Sequence, residues 1–400
     1  MDALQRKITD YADLRLDVYK ALALDIHAHP EVSNYEFHAC EVLSACLAEE
    51  GFRVKTDVAG HRTGFTGVYR ADRPGPVLAF LAEYDALAGL GHGCGHNLFG
   101  PTSILAAAAL KQVIDETGGE VRVYGTPGEE GGENGSAKGS FVREGFFRDV
   151  DAALCVHPGD IHCATTNMLA CAPVDIEFWG KSAHAASAPE KGINALDALI
   201  LVYNGINALR QHVTGDVRIH GIITSGGKAP NAVPDYAAGR FYIRAAAKPR
   251  MMDVYRRVEN IVDGAARMTG AKGRMQPFQN IVDNVVLTPL FDDLYGRCLG
   301  LLGEKLQEPQ SKMGLGSSDV GNVSQVVPTI QPTICITDGP TPWHSEESKA
   351  AACSEKGLAS IALGAKALAL TALELCRDPE LLSAVRAEHQ KALDIQARSV

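Results

Sequence analysis

The sequence predicts an α/β protein in which one larger domain is interrupted by a smaller α+β module, and three observations carry that prediction. Across roughly the first 170 residues, short apolar runs alternate with helical stretches, the texture of a sheet with parallel strands. Near residue 172 the order changes to β-α-β-β-α-β. Beyond about residue 284 the α/β texture returns, and the chain ends in alanine- and leucine-rich helices. At 400 residues, 46% hydrophobic and 22% charged, it is long enough for two cores. The expected division is 1–172 and 284–400 for the larger domain and 173–283 for the inserted one.

The elements follow in order. The N-terminus reads as an amphipathic helix with charges throughout and no uninterrupted apolar core of a signal peptide. Strand-like runs cover 77–82, 121–124 and 152–156, and the alanine-rich run 101–114, with Pro101 at its start, reads as a helix. Polar and glycine-rich residues gather where these strands end: Asp85 with HGCGH, then GTPGEEGG, then His157-Pro158. That is the edge at which open α/β sheets build their sites. In the inserted module, strands are expected at 174–178, 218–223, 237–244 and 274–278, and helices at 193–213 and 250–268. Ile193, Leu196, Ile200 and Tyr203 give the first of those helices an apolar face.

A net charge of −10 without any basic run lacks the footprint of a nucleic-acid or acidic-membrane binder, so small-molecule partners are expected. No run of about 18 apolar residues escapes a charge, Gly or Pro, so no membrane span is expected. The ten cysteines are scattered without a C-x-x-C pair, which suits a reducing cytoplasm better than a disulfide framework.

Cys94 and His96, two apart in a Gly-punctuated loop, offer a thiolate and an imidazole suited to a borderline-soft divalent ion. Glu129-Glu130 follows a strand and is flanked by glycines, so one carboxylate can bind metal while its neighbour serves as general base. His157 closes the next strand, and His344 sits in the aperiodic run DGPTPWHSEES. Taken singly, each has an ordinary reading: a buried cysteine, a solvated acidic loop, a core or surface histidine. Four candidates at strand ends or in loops together supply the nitrogen, sulfur and oxygen donors of a dinuclear centre.

Asp85 in LAEYDAL, Cys94-Gly95-His96, GTPGEEGG, His157-Pro158, GKSAHA, GKAPNAVPD and the late His344 resemble, in order and spacing, the aminoacylase and carboxypeptidase family of dinuclear metallohydrolases. The similarity runs over about residues 25 to 370 and is nearest to the branch with indole-acetyl-amino-acid, hippurate and aminobenzoyl-glutamate hydrolases and Xaa-Arg dipeptidases. It implies a zinc-peptidase-like α/β catalytic domain, an inserted ferredoxin-like lid that also dimerises, and two divalent ions, zinc or manganese with cobalt as an option. It further implies a substrate with a free carboxylate, cut at an amide bond.

By the same resemblance, Cys94 would bridge the ions, with His96, Glu130, His157 and His344 completing the ligands. Glu129 would be the base and Asp85 the carboxylate that orients the site. His184 would reach the partner subunit's site and stabilise the oxyanion, while Asn231 and Arg244 would hold the substrate carboxylate. From spacing alone these three read as a loop histidine, a turn residue and a surface charge. Ser318, in the run Gly314-Leu315-Gly316-Ser317-Ser318-Asp319, is expected in a pocket wall contacting substrate. Two positions depart from relatives: Asn97 stands where the indole-acetyl branch carries aspartate, and Glu83 stands where the wider family has a metal-binding histidine. Two rival readings keep the fold: a deaminase of an aromatic amine, and a non-catalytic binder of carboxylate ligands.

Overall fold

A computed structural model describes residues 1–308 and 316–398. By their contacts they form two compact units, 1–167 with 285–308 and 316–398, and 168–284.

In the first unit, a long helix α1 (Ala3–Ala28), opened by a reciprocal Asp2/Gln5 cap, precedes α2 (Phe37–Glu49). A hairpin of β1 (Arg53–Val58) and β2 (His61–Arg70) follows. Ala59 and Gly60, at its tip, both have positive φ, the backbone that a two-residue hairpin turn requires. The sequence pattern does not reveal this hairpin, because β1 is an outer strand with mostly exposed residues and lacks an apolar run. Next come β3 (Val77–Ala82), α3 (His96–Thr117), β4 (Glu120–Gly125), α4 (Ala137–Arg143), β5 (Ala152–Leu154) and β6 (His157–Gly159). The six-stranded sheet runs β1-β2-β4-β3-β5 and then a late strand, with β4, β3 and β5 parallel. The expected strand 152–156 therefore ends at Leu154, and His157 opens a separate short strand.

A second correction concerns α3. It begins at His96, five residues before the expected Pro101, and continues through that proline. Pro101 forfeits one amide donor, but the helix is buried on nearly every side, and burial of that kind outweighs one lost bond. His96 is thus on the first helical turn and not in a free loop.

The second unit has β7 (Ala170–Trp179), α5 (Ala195–Leu209), β8 (Arg218–Ser225), β9 (Tyr236–Ala245), α6 (Lys248–Thr269) and β10 (Lys272–Pro277). Its antiparallel sheet has the order β10-β7-β9-β8, and α5 and α6 pack on it, the ferredoxin-like arrangement. The first strand, expected at 174–178, spans Ala170–Trp179.

The chain then returns to the first unit with α7 (Pro289–Leu301), α8 (Val320–Ser324), β11 (Thr329–Ile330), β12 (Thr333–Cys335), α9 (Glu346–Ala351), α10 (Glu355–Arg377) and α11 (Pro379–Arg398). β11 joins β5 in parallel and β12 joins β6. By length and apolarity α10 could cross a membrane, yet 72% of its most apolar window is buried, packed with α3, α1 and α7.

Candidate active site

The ends of β3 and β4, the first turn of α3, the start of β6 and the 338–345 loop bring their polar side chains together in the first unit. Two groups of ligand atoms share one sulfur: Cys94, His96 and His157 lie mutually within 4.8 Å, and so do Cys94, Glu130 and His344. The five residues expected as ligands are therefore assembled, with Cys94 between them.

Second contacts fix the rings. His96 Nδ1 faces two acceptors, the Asp85 carbonyl at 3.1 Å and Asp85 Oδ1 at 3.0 Å, so Nδ1 carries a proton and Nε2 is the ring atom left to face Glu83 Oε2 at 3.3 Å. His157 Nδ1 donates to the Pro158 carbonyl at 2.7 Å, which turns Nε2 toward Cys94 Sγ at 3.5 Å. Asp85 Oδ2 accepts the Glu130 amide at 2.9 Å, so one carboxylate orients both a histidine and the Glu-Glu loop. His344, in a left-handed conformation, donates its amide to the Gly93 carbonyl at 3.3 Å and places Nε2 3.6 Å from Glu130 Oε1.

Two residues with no motif of their own complete the surroundings. Glu36, fully buried, accepts the Gly128 amide and the Thr63 hydroxyl, each at 2.9 Å, and so holds the start of the Glu-Glu loop. Lys138, also fully buried, pairs with Glu83 at 2.8 Å and Asp319 at 2.6 Å. Charged residues that appear singly in a sequence give no sign of burial, so neither Glu36 nor Lys138 was legible. Asn97 turns out to be a brace: its amide nitrogen donates to the Ala23 and Ala352 carbonyls at 3.2 and 3.0 Å, which aspartate cannot do.

The electrostatics call for a cation. Burial, then the charges of Glu83 and Glu130, pushes the Glu129 carboxyl well above its ordinary range. Burial, then Glu130, likewise raises the Cys94 thiol. Burial, then His96, lowers His157 to about 4, leaving a neutral imidazole. His96 Nε2 and Glu130 Oε1 are buried without a hydrogen-bond partner. A divalent cation facing these donors would satisfy the bare atoms and favour thiolate and carboxylate, so the donor set fits metal.

The remaining expected residues lie elsewhere. Ser318 is buried, and its hydroxyl accepts the Val320 amide at 3.4 Å; Gly314 and Leu315 lie outside the described residues. His184, Asn231 and Arg244 belong to the second unit. There, exposed His184 accepts the Ala186 and Ser187 amides on Nδ1, each at 3.2 Å, which puts the ring proton on Nε2. Its backbone bridges to Ala232, and the Asn231 carbonyl accepts the Ala185 amide at 3.0 Å. The Arg244 guanidinium lies over the Tyr242 ring, 5.2 Å from its centroid.

Fold and donor set together define a metallohydrolase with a ferredoxin-like insertion. Residues 172–269 match the family described as the peptidase dimerisation domain. The chain is 33% identical to the Xaa-Arg dipeptidase of Mus musculus over 97% of its own length and 92% of that protein's. It is 40% identical to one subunit of the p-aminobenzoyl-glutamate hydrolase of Escherichia coli, over 67% of this chain and 59% of that relative. Among solved structures it resembles a Bacillus subtilis dinuclear metal binding peptidase from the M20 family, with a TM-score of 0.61, 20% identity, and coverage of 90% and 99%. The chain belongs to the M20 peptidase family and is a metal-dependent hydrolase of C–N amide bonds.

Proposed function

We propose that the chain holds two divalent ions, zinc or manganese with cobalt as a workable substitute, and hydrolyses the amide bond of an N-acyl or N-aminoacyl amino acid whose carboxylate is free. The observation that carries this reading is the sharing of Cys94 Sγ between the His96/His157 and the Glu130/His344 groups. The names of the Xaa-Arg dipeptidase and aminobenzoyl-glutamate hydrolase relatives supply the substrate class.

Two ions held by these residues would lower the pKa of a water and polarise the scissile carbonyl. Glu129 would take a proton from the attacking water and return it to the leaving nitrogen; its raised proton affinity suits both halves of the transfer. Asp85 and Glu36 keep the loop of Glu129 and Glu130 in place through the Glu130 and Gly128 amides. His184, with its proton on Nε2, is a donor fit for a developing oxyanion, contributed by the partner protomer of a homodimer. Asn231 and Arg244 hold the substrate carboxylate. The dimer would form along β8, one of the two outer strands of its sheet, where Ile222 and Ile223 are 64% and 46% exposed. Ten free cysteines suit a cytoplasmic setting.

The test is a product-resolved screen of dipeptides, N-acyl amino acids and aminobenzoyl-glutamate with the metal-reconstituted protein. Release of a free amino acid is expected. Ammonia together with a deaminated product, the amide bond left intact, would make it a deaminase, and no product from any substrate would contradict the reading.

A further inference from the structure

Between α1 and α2, residues 31–36 run as a strap past two parts of the site. Val32 forms a parallel bridge with Ala86, whose amide donates to the Glu31 carbonyl at 2.8 Å, so the strap lies beside the residue that follows Asp85. It then passes the loop that carries Glu129 and Glu130. That loop is closed at its base by the Ser136 amide, which donates to the Gly128 carbonyl at 2.6 Å. A Cβ on Gly128 would meet Ser33 Oγ at 2.5 Å and Asn34 Nδ2 at 3.2 Å, so the strap can lie this close only because the residue is glycine.

Glu36 holds the near end of the loop through the Gly128 amide. The far end is held by another side chain of the strap. Asn34 Nδ2 donates to the Glu133 carbonyl at 3.1 Å and to the Asn134 carbonyl at 2.8 Å. Two carbonyls at one end of the amide identify that end as the nitrogen, which leaves Oδ1 to face His61 Nδ1 at 2.6 Å, so the histidine is the donor there. His61 is buried at the start of β2; burial, then the Arg143 charge, lowers it to about 4, which leaves a neutral ring with its proton on Nδ1. Asn134 Nδ2 adds a longer tie, 3.4 Å to the Gly60 carbonyl at the hairpin tip. The Asn34 backbone is left-handed, with φ 61°, a conformation that asparagine tolerates better than most side chains.

The geometry gives Asn34 a part in the reaction: we propose that it is a positioning residue which, locked by His61, fixes the far end of the catalytic loop and so sets where Glu129 and Glu130 stand. Between Glu130 and the tether lie Gly131 and Gly132, the residue type with the least intrinsic backbone restraint. An untied end would let both glutamates drift, and a displacement of about 1 Å in a reacting group costs about 10²-fold in rate. The assignment rests on the reading of Glu129 as base and Glu130 as ligand under Proposed function.

The experiment uses the full chain reconstituted with Co²⁺ and reads Co²⁺ affinity by chelator competition, kcat and KM on the substrate that the product screen returns, and the melting temperature. Asn34→Gly removes the amide but accepts the left-handed backbone. Asn34→Asp keeps the acceptor for His61 and sets an oxygen against the two carbonyls. In both, kcat should fall about 10–100-fold with KM unchanged, and one of the two Co²⁺ ions should loosen by a similar factor. His61→Asn supplies a donor in place of Nδ1 and gives up only Nε2, which has no hydrogen-bond partner among the described residues. It should stay near wild type, whereas His61→Leu, without a donor, should fall with Asn34→Gly. A role confined to folding would lower the melting temperature of Asn34→Gly and His61→Leu while the folded, metal-loaded chains kept wild-type kcat. That result, or wild-type kcat and Co²⁺ affinity in both Asn34 variants, would overturn the assignment of Asn34 alone. A wild-type chain that binds fewer than two Co²⁺ ions would overturn the two-ion reading beneath it.

Discussion

A histidine binds metal through one ring nitrogen when an acceptor orients the other, and His96 and His157 both have Nδ1 committed to backbone or carboxylate acceptors. The same logic in reverse makes His184 a donor, because two amides occupy its Nδ1. Away from the site, Asp292 shows what burial does to a lone carboxyl. It accepts the Thr165 amide at 2.8 Å and hydroxyl at 2.7 Å, yet burial pushes it from the usual 3.8 up to about 6. Between those values the unfolded chain holds fewer protons than the folded one, so stability is lost as pH rises through that window. Asp292→Asn keeps an acceptor for Thr165 without the charge. Its stability, followed through thermal melts, should gain on wild type between pH 4 and pH 6, by up to about 3 kcal/mol. A difference that stays constant with pH would contradict this.

At the scale of elements, the turn into α3 decides whether Cys94 and His96 can serve one ion. Gly95 caps the helix at φ 77°, and a Cβ there would meet Pro158 Cγ at 2.9 Å, pressing on the residue after His157. Gly95→Ala should cost about 1–2 kcal/mol for the left-handed backbone alone and lower the metal retained per chain. Thermal melts and metal analysis check both, and a variant with wild-type stability and metal content would refute the account of this turn. The strand-end location of Cys94, Glu129, Glu130 and His157 was legible in the sequence because apolar runs broke off into glycine and polar residues there. The start of α3 was not, since a proline early in a helix usually marks its first turn and here burial overrode it. The β1–β2 hairpin was missed for the opposite reason: too little of it is buried to leave an apolar pattern.

For the whole molecule, the ordered motifs from Asp85 to His344 carried the family, and the change of texture near residue 172 carried the inserted unit. What they could not carry is the set of lone buried charges, Glu36, Glu83, Lys138 and Asp319, whose partners are scattered along the chain and meet only once it folds. If β8 is the seam between two copies, Ile222→Lys should give monomers by sedimentation. Turnover should fall with it, because His184 would have no partner to serve; a fully active monomer would contradict that arrangement. The division of labour between ligands and base is tested most directly by measuring bound metal and turnover together on Glu129→Gln. Two ions per chain with turnover lower by about 10²–10⁴-fold is the expected result. Wild-type turnover, or loss of metal along with activity, would contradict the assignment of Glu129 as the base of a two-ion amidohydrolase.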